Sequence, residues 1–161
     1  MCPTGHSIVK TRMKQENSPL AGEMSGHLFF KDRWYGFDDA TYSACRLLEQ
    51  LSNSSASISQ QFANIPTSIN TPELKIPVAD KEKFSVMQLF TNNAYFADST
   101  RITIDGLRIE FTDGWGLLRA SNTTPCLVAR FEADNLSSLD RIKLLFQEQL
   151  HAVDANLTLP F

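Results

Sequence analysis

Arg101-Ile-Thr-Ile-Asp105-Gly106-Leu-Arg-Ile-Glu-Phe111 is the stretch on which the fold of the C-terminal half turns. Two runs of alternating apolar and polar residues meet at Asp-Gly, which predicts a β-hairpin closed by a tight primed turn. Working outward, Asp113-Gly114-Trp115-Gly116-Leu117-Leu118 reads as a further strand, and Cys126-Leu-Val-Ala-Arg-Phe131 as the next. Upstream, Asp80 is predicted to cap a helix carrying Phe84, Met87, Gln88 and Phe90, with Tyr95 and Phe96 near its end. Downstream, Ser137 or Ser138 is predicted to start an amphipathic helix through Leu139, Ile142, Leu145, Phe146 and Leu150. Its Arg141, Lys143 and Glu148 read as a solvated face. Residues 80–161 therefore read as helix, three or four antiparallel strands, helix: an α+β unit with one sheet face under two helices.

Between the last two strands lies Leu118-Arg119-Ala120-Ser121-Asn122-Thr123-Thr124-Pro125. Arg119 can form a bidentate pair with phosphate or carboxylate. Ser121, Thr123 and Thr124 carry hydroxyls and Asn122 an amide. A turn can also aim successive backbone N–H groups at one point, making an anion nest. The stretch suits a phosphate-sized anion. It also suits an ordinary β-turn with Arg119 in a surface ion pair.

The N-terminal half has a different character. Thr4-Gly5-His6-Ser7 reads as a turn into a short helix with Ser7 as cap, stopped by Gln15-Glu16-Asn17-Ser18-Pro19. His6, just before a helix start, lies where backbone donors favour anions. Leu20–Met24 and His27–Phe30 read as two short strands around Ser25-Gly26. Glu23, Ser25 and His27 are spaced by two, and alternate residues of an extended chain share a face. That trio can hydrogen-bond sugar hydroxyls, and His27 can act as acid or base; it also fits the polar face of a plain hairpin. Asp38 is predicted to cap a helix whose core face is Tyr42, Cys45, Leu48 and Leu51. A second short helix through Ile58, Phe62 and Ile65 ends at Pro66. Pro66 to Val78, with three prolines in a polar run, marks the domain boundary, a linker and a strand over 67–79. Residues 1–66 hold a dense aromatic cluster but only two short strands, too few to stand alone. They read as part of a larger domain.

The 161 residues carry a formal net charge of -3 and a pI near 5.6, which argues against non-specific nucleic-acid binding. Three cysteines match no zinc or redox spacing and read as free thiols in a reducing cytosol. With no apolar run long enough to span a bilayer and no signal-peptide core at the N-terminus, a cytoplasmic protein without membrane attachment is expected.

Thr4-Gly-His-Ser7, Gly22-Glu-Met-Ser-Gly-His27 with Phe29-Phe30, Tyr35-Gly-Phe-Asp-Asp39 and Arg119-Ala-Ser-Asn-Thr-Thr-Pro125 resemble the bacterial phosphomannomutase/phosphoglucomutase branch of the α-D-phosphohexomutases, in order and spacing. The resemblance covers essentially the whole chain. It implies the last part of the third of that family's four domains, an α/β domain, over residues 1–66. It implies the fourth, with a TATA-binding-protein-like fold and a phosphate site, over 80–161. It implies interconversion of hexose 1-phosphate and hexose 6-phosphate, of mannose or glucose, through a hexose 1,6-bisphosphate intermediate. A phosphoserine in the first domain and Mg2+ in the second do the transfer. By position, Glu23 and Ser25 would bind the sugar's 3- and 4-hydroxyls, His27 would lie near the reacting phosphoryl group, and His6 would line the active site. Arg119, Ser121, Asn122 and Thr123 would grip the non-transferring phosphate.

There are departures. The chain has no Ser-His-Asn phosphoserine loop and no Asp-Gly-Asp metal loop, so no metal ligands are assigned and this chain alone is expected to be inactive. Cys2-Pro3 stands where a lysine is common. The implied partners are a phosphosugar and the missing N-terminal domains of the same enzyme. A stand-alone, non-catalytic phosphosugar-binding module is the alternative. A nucleic-acid binder by analogy of fold is disfavoured by the acidic pI.

Overall fold

Met1–Pro66 and Thr67–Phe161 pack as separate units in the computed structural model, which describes residues 1–161. In the first, α1 (His6–Gln15) buries Val9 and Met13, four residues apart and so on one helix face, against Phe29. The N-cap is Gly5, not Ser7; the Ser7 carbonyl accepts from Thr11 Oγ1 at 2.8 Å instead. β1 (Leu20–Gly22) and β2 (Leu28–Phe30) pair antiparallel with Ala21 opposite Phe29. α2 (Ala40–Ser52) is capped by Asp39, whose carboxylate accepts the Tyr42 N–H at 2.9 Å. Asp38, the expected cap, is engaged elsewhere. α3 (Ile58–Phe62) opens with a reciprocal capping box between Ser57 and Gln60.

The expected core face of α2 is not core in this chain. None of its residues is buried, and Leu48 is 64% exposed. Periodicity reveals an apolar stripe; it does not say what covers it. The aromatic cluster does pack: Trp34 stacks on Tyr42 at 4.4 Å, Phe30 meets Tyr42 edge-on, and Arg46 lies 4.8 Å over Phe30. Beside it Arg33 grips Glu49 through two bonds of 2.9 and 2.6 Å, which holds the Glu49 carboxyl below its usual range.

The second unit runs β3 (Ile69–Asn70), β4 (Leu74–Pro77), α4 (Lys83–Asn93), β5 (Thr100–Ile102), β6 (Leu107–Phe111), β7 (Gly114–Ala120), β8 (Cys126–Ala133), α5 (Leu136–Val153). It is α+β, but the antiparallel sheet has six strands rather than three or four. β8, β7, β6 and β5 follow in order; β3 and β4 both lie on the other edge of β8. They form one edge strand interrupted at Thr71-Pro72. Proline cannot donate to a ladder and is tolerated on an edge. Thr71 bridges the gap, its N–H donating to the Phe131 carbonyl and its hydroxyl accepting the Phe131 N–H. Residues 67–79 thus contribute two strands.

The core lies between one sheet face and α4 and α5. Leu107 and Ile109 of β6, Leu118 of β7 and Leu127, Ala129 and Phe131 of β8 alternate onto that face and are fully buried. Phe146 of α5 sits among Phe90, Phe96 and Phe131 at ring distances of 5.9, 4.8 and 5.3 Å. It presses on the sheet where β7 has Gly116: a Cβ there would lie 2.5 Å from Phe146 Cε2. A strand glycine marks such a close approach.

Three local readings change. The hairpin forms, but Ile102 pairs with Arg108, leaving five residues in the loop instead of a two-residue turn. The helix near Asp80 begins at Lys83 with Glu82 at the cap position, and Phe84 is 58% exposed while Met87 and Phe90 are buried. The last helix is capped by Asn135, which accepts the Ser138 N–H at 2.9 Å.

Arg141, expected to be merely solvated, bonds Asp113 at 2.6 Å. Hydrogen bonding from Ser138 and then from Arg141 holds the Asp113 carboxyl below its usual range. A depressed folded value makes its stabilisation complete above the unfolded carboxyl's pKa and lost as pH falls through the folded one. Asp113→Asn is expected to flatten the acid end of a stability-versus-pH curve from urea unfolding; an unchanged acid limb counts against this. No helix is long and apolar enough to cross a membrane.

Candidate functional site

Arg119 is the penultimate residue of β7, so it stands on a strand and not in the turn after it. Its neighbour Leu118 points into the core, and alternation places Arg119 on the sheet face away from the helices, opposite Val128 of β8. The side chain is 17% exposed. It pairs with Glu73, with Nη2 3.6 Å from Oε1. The ion pair of the plain-turn reading therefore exists, but at 3.6 Å it is too long for a hydrogen bond.

Ser121–Pro125 is clamped at its base by the Ser121 N–H to the Cys126 carbonyl at 3.0 Å. The backbone N–H groups of Thr123 and Thr124 do converge, but on the Ser121 hydroxyl, at 3.4 and 3.1 Å. Ser121 is 7% exposed and shares a hydrogen with Thr124 Oγ1 at 2.7 Å. Thr124 Oγ1 in turn lies 3.1 Å from Cys126 Sγ. The nest expected from sequence is thus filled by the loop's own oxygen. Asn122 and Thr123 are exposed, so an amide and a hydroxyl stand at the surface beside a strand-held arginine.

Lys83 lies beneath this loop and was not singled out from sequence. Its ammonium, 3% exposed, donates to the Thr124 carbonyl at 3.1 Å and pairs with Asp80 at 2.7 Å. Asp80, read as a helix cap, is this lysine's counter-ion. No sequence signal joins positions 41 residues apart, and within the charged run Asp80-Lys-Glu-Lys83 a lysine reads as solvated.

In the first unit Glu23, Ser25 and His27 share the loop between β1 and β2. The chain there is a turn, with the Gly26 N–H donating to the Glu23 carbonyl at 3.0 Å, so the alternation argument does not hold. Side-chain bonds organise the residues instead. Glu23 Oε1 accepts the Gly5 N–H at 3.0 Å, which ties the loop to the start of α1, one residue before His6. Ser25 Oγ leans on Glu23 Oε2 at 3.4 Å. His27 turns the other way and bonds Asp38 Oδ2 through Nδ1 at 2.6 Å. A carboxylate accepts only, so the bond places the proton on Nδ1 and leaves Nε2 free. His6 is the first residue of α1, its ring 5.3 Å from Phe29. Sequence reasoning missed Asp38 as the histidine's partner; an eleven-residue separation carries no periodicity. No three His, Cys, Asp or Glu side chains gather as metal ligands.

Comparison with known proteins follows the same division. A profile of the phosphoglucomutase/phosphomannomutase alpha/beta/alpha domain III matches residues 1–69, and one of the phosphoglucomutase/phosphomannomutase C-terminal domain matches 73–149. A phosphomannomutase/phosphoglucomutase of Pseudomonas putida is 53% identical over all 161 residues, which are 35% of its own length. A phosphoglucomutase of Neisseria meningitidis is 49% identical over 159 residues, 98% of this chain and 34% of the relative. The crystal structure of a phosphoglucomutase/phosphomannomutase family protein from Burkholderia thailandensis superposes with a TM-score of 0.91 at 44% identity, covering 100% of this chain and 34% of that one. The chain spans about a third of the length of these relatives, and it belongs to the phosphoglucomutase/phosphomannomutase family.

Proposed function

We propose that this chain supplies the phosphate grip and the sugar-hydroxyl contacts of a cytoplasmic phosphohexomutase. The reaction is the interconversion of hexose 1-phosphate and hexose 6-phosphate through a bisphosphate. The observation that carries the reading is Arg119, strand-held and 17% exposed, with one long carboxylate contact beside an exposed amide and hydroxyl. Arg119, Asn122 and Thr123 hold the phosphate that is not transferred, and the Ser121 hydroxyl keeps the loop's shape. Glu23, with Gly5 on one carboxylate oxygen, presents its other lone pairs to the sugar's 3- and 4-hydroxyls, assisted by Ser25. His27, oriented by Asp38, keeps Nε2 available to exchange a proton with the substrate, and His6 lines the site.

Phosphoryl transfer depends mainly on positioning and charge neutralisation. A fixed anion grip suits an intermediate that must present either phosphate in turn. The phosphoserine and Mg2+ belong, on this reading, to further polypeptide of a four-domain enzyme, and neither plays a part in the chemistry assigned to these residues.

The test is calorimetric titration of the 161-residue chain with glucose 6-phosphate, mannose 6-phosphate and free glucose. Both phosphosugars are expected to bind with similar affinity, since the 3- and 4-hydroxyls do not distinguish them, and glucose is expected not to bind. Equal binding of glucose and its phosphate would remove the phosphate grip from the reading.

A further inference from the structure

We propose that Lys83 is a positioning residue for the anion loop, holding the Thr124 carbonyl away from the bound phosphate. The inference rests on reading Ser121–Pro125 as the phosphate site. A lysine at 3% exposure is costly to bury unless its charge is matched. Lys83 is matched twice, by Asp80 at 2.7 Å and by the Thr124 carbonyl at 3.1 Å, and its ammonium also lies 5.1 Å over the Phe84 ring.

The second partner matters for an anion. Every peptide unit of a tight loop has a donor end and an acceptor end, and a carbonyl aimed at a phosphate repels it. The Thr124 carbonyl already accepts the Cys126 N–H at 2.9 Å. Lys83 occupies its other lone pair, so both acceptor sites of that oxygen are engaged on the protein side. The next carbonyl, that of Pro125, is taken by the Val78 N–H at 3.3 Å. These two carbonyls are thus drawn toward β4 and the start of α4, while Asn122 and Thr123 stay exposed. Asp80 keeps the ammonium in place, and Lys83 in turn couples the first turn of α4 to the loop that ends β7.

The experiment measures inorganic phosphate and glucose 6-phosphate affinity of the 161-residue chain by amide chemical-shift titration, well below each variant's melting temperature. The variants are Lys83→Met, Lys83→Arg, Asp80→Asn and Arg119→Ala. Lys83→Met fills the space but cannot donate. It is expected to weaken both ligands about tenfold, the value of a lost charge-assisted hydrogen bond, with Lys83→Arg restoring most of the affinity. A purely structural lysine would lower the melting temperature and leave the affinity unchanged. Wild-type affinity in Lys83→Met beside weakened binding in Arg119→Ala overturns the proposal and spares the phosphate site. Unchanged affinity in both overturns the site and the proposal together. If Lys83→Met does not fold, Asp80→Asn decides, because Asp80 is 74% exposed and tolerates change. A loss of severalfold is expected there, and wild-type affinity overturns the proposal.

Discussion

Arg119→Ala is expected to weaken hexose-phosphate binding by about a hundredfold, the worth of two charge-assisted hydrogen bonds. The size follows from how the residue is held. Its backbone is locked in the β7–β8 ladder opposite Val128, so little ordering is needed when an anion arrives. Its guanidinium is only 17% exposed, so the bonds it makes are poorly screened. Glu73 competes for it at 3.6 Å. Removing that competitor by Glu73→Gln is therefore expected to leave phosphate affinity unchanged or raise it, the opposite sign to Arg119→Ala. Neither change touches the core on the other sheet face, so both variants are expected to melt close to the wild type. Titration calorimetry with glucose 6-phosphate measures the pair. An affinity unchanged in Arg119→Ala would mean that this arginine serves only its ion pair.

Gly106→Ala is expected to do the reverse, unfolding the second unit at lower temperature before it affects ligand chemistry. Gly106 has φ +75°, and a Cβ there would stand 2.2 Å from the Leu118 carbonyl oxygen and 2.7 Å from the Arg119 Cα. Those are backbone atoms of a central strand and cannot step aside. Left-handed strain and the forced separation together cost about 3 kcal/mol, or about 15 °C in melting temperature for a unit of this size. The clash falls on the strand end that carries Arg119, so residual folded protein is expected to show shifted Arg119 and Ala120 amides. A variant melting within a degree or two of the wild type would show that the hairpin loop can move off β7.

The same glycine shows where sequence reading stops. Asp105-Gly106 identified the hairpin, because a residue free to take positive φ between two alternating runs is a local signal. The register was not local. It pairs Ile102 with Arg108, and what fixes it is the approach of Gly106 to Leu118 and Arg119 of β7, twelve and thirteen residues downstream. The helix α5 was legible for the opposite reason: its stripe of Leu139, Ile142, Phe146 and Leu150 is buried as the period demands. The equally regular stripe of α2 is not buried, because amphipathicity reports a need for a partner and not its presence.

The site divides in the same way. Arg119, Ser121, Asn122 and Thr123 are legible because all four fall within five successive residues. Glu23, Ser25 and His27 stood out through a strand periodicity that the turn at Gly26 does not obey. The residues that hold them, Asp38 behind His27 and Lys83 with Asp80 behind Thr124, act across chain separations that no spacing rule spans. From sequence, Asp38 and Asp80 both read as helix caps, the nearest local use for an aspartate before a helix.

The most direct measurement is a chemical-shift map of the isotopically labelled 161-residue chain titrated with glucose 6-phosphate. The expected result is saturable movement of the Ser121, Asn122, Thr123 and Thr124 amides and of the Arg119 side-chain resonance, absent with free glucose. Saturable movement that leaves Arg119 and 121–124 unshifted, or no movement at any concentration, would contradict the assignment of this loop as the phosphate grip.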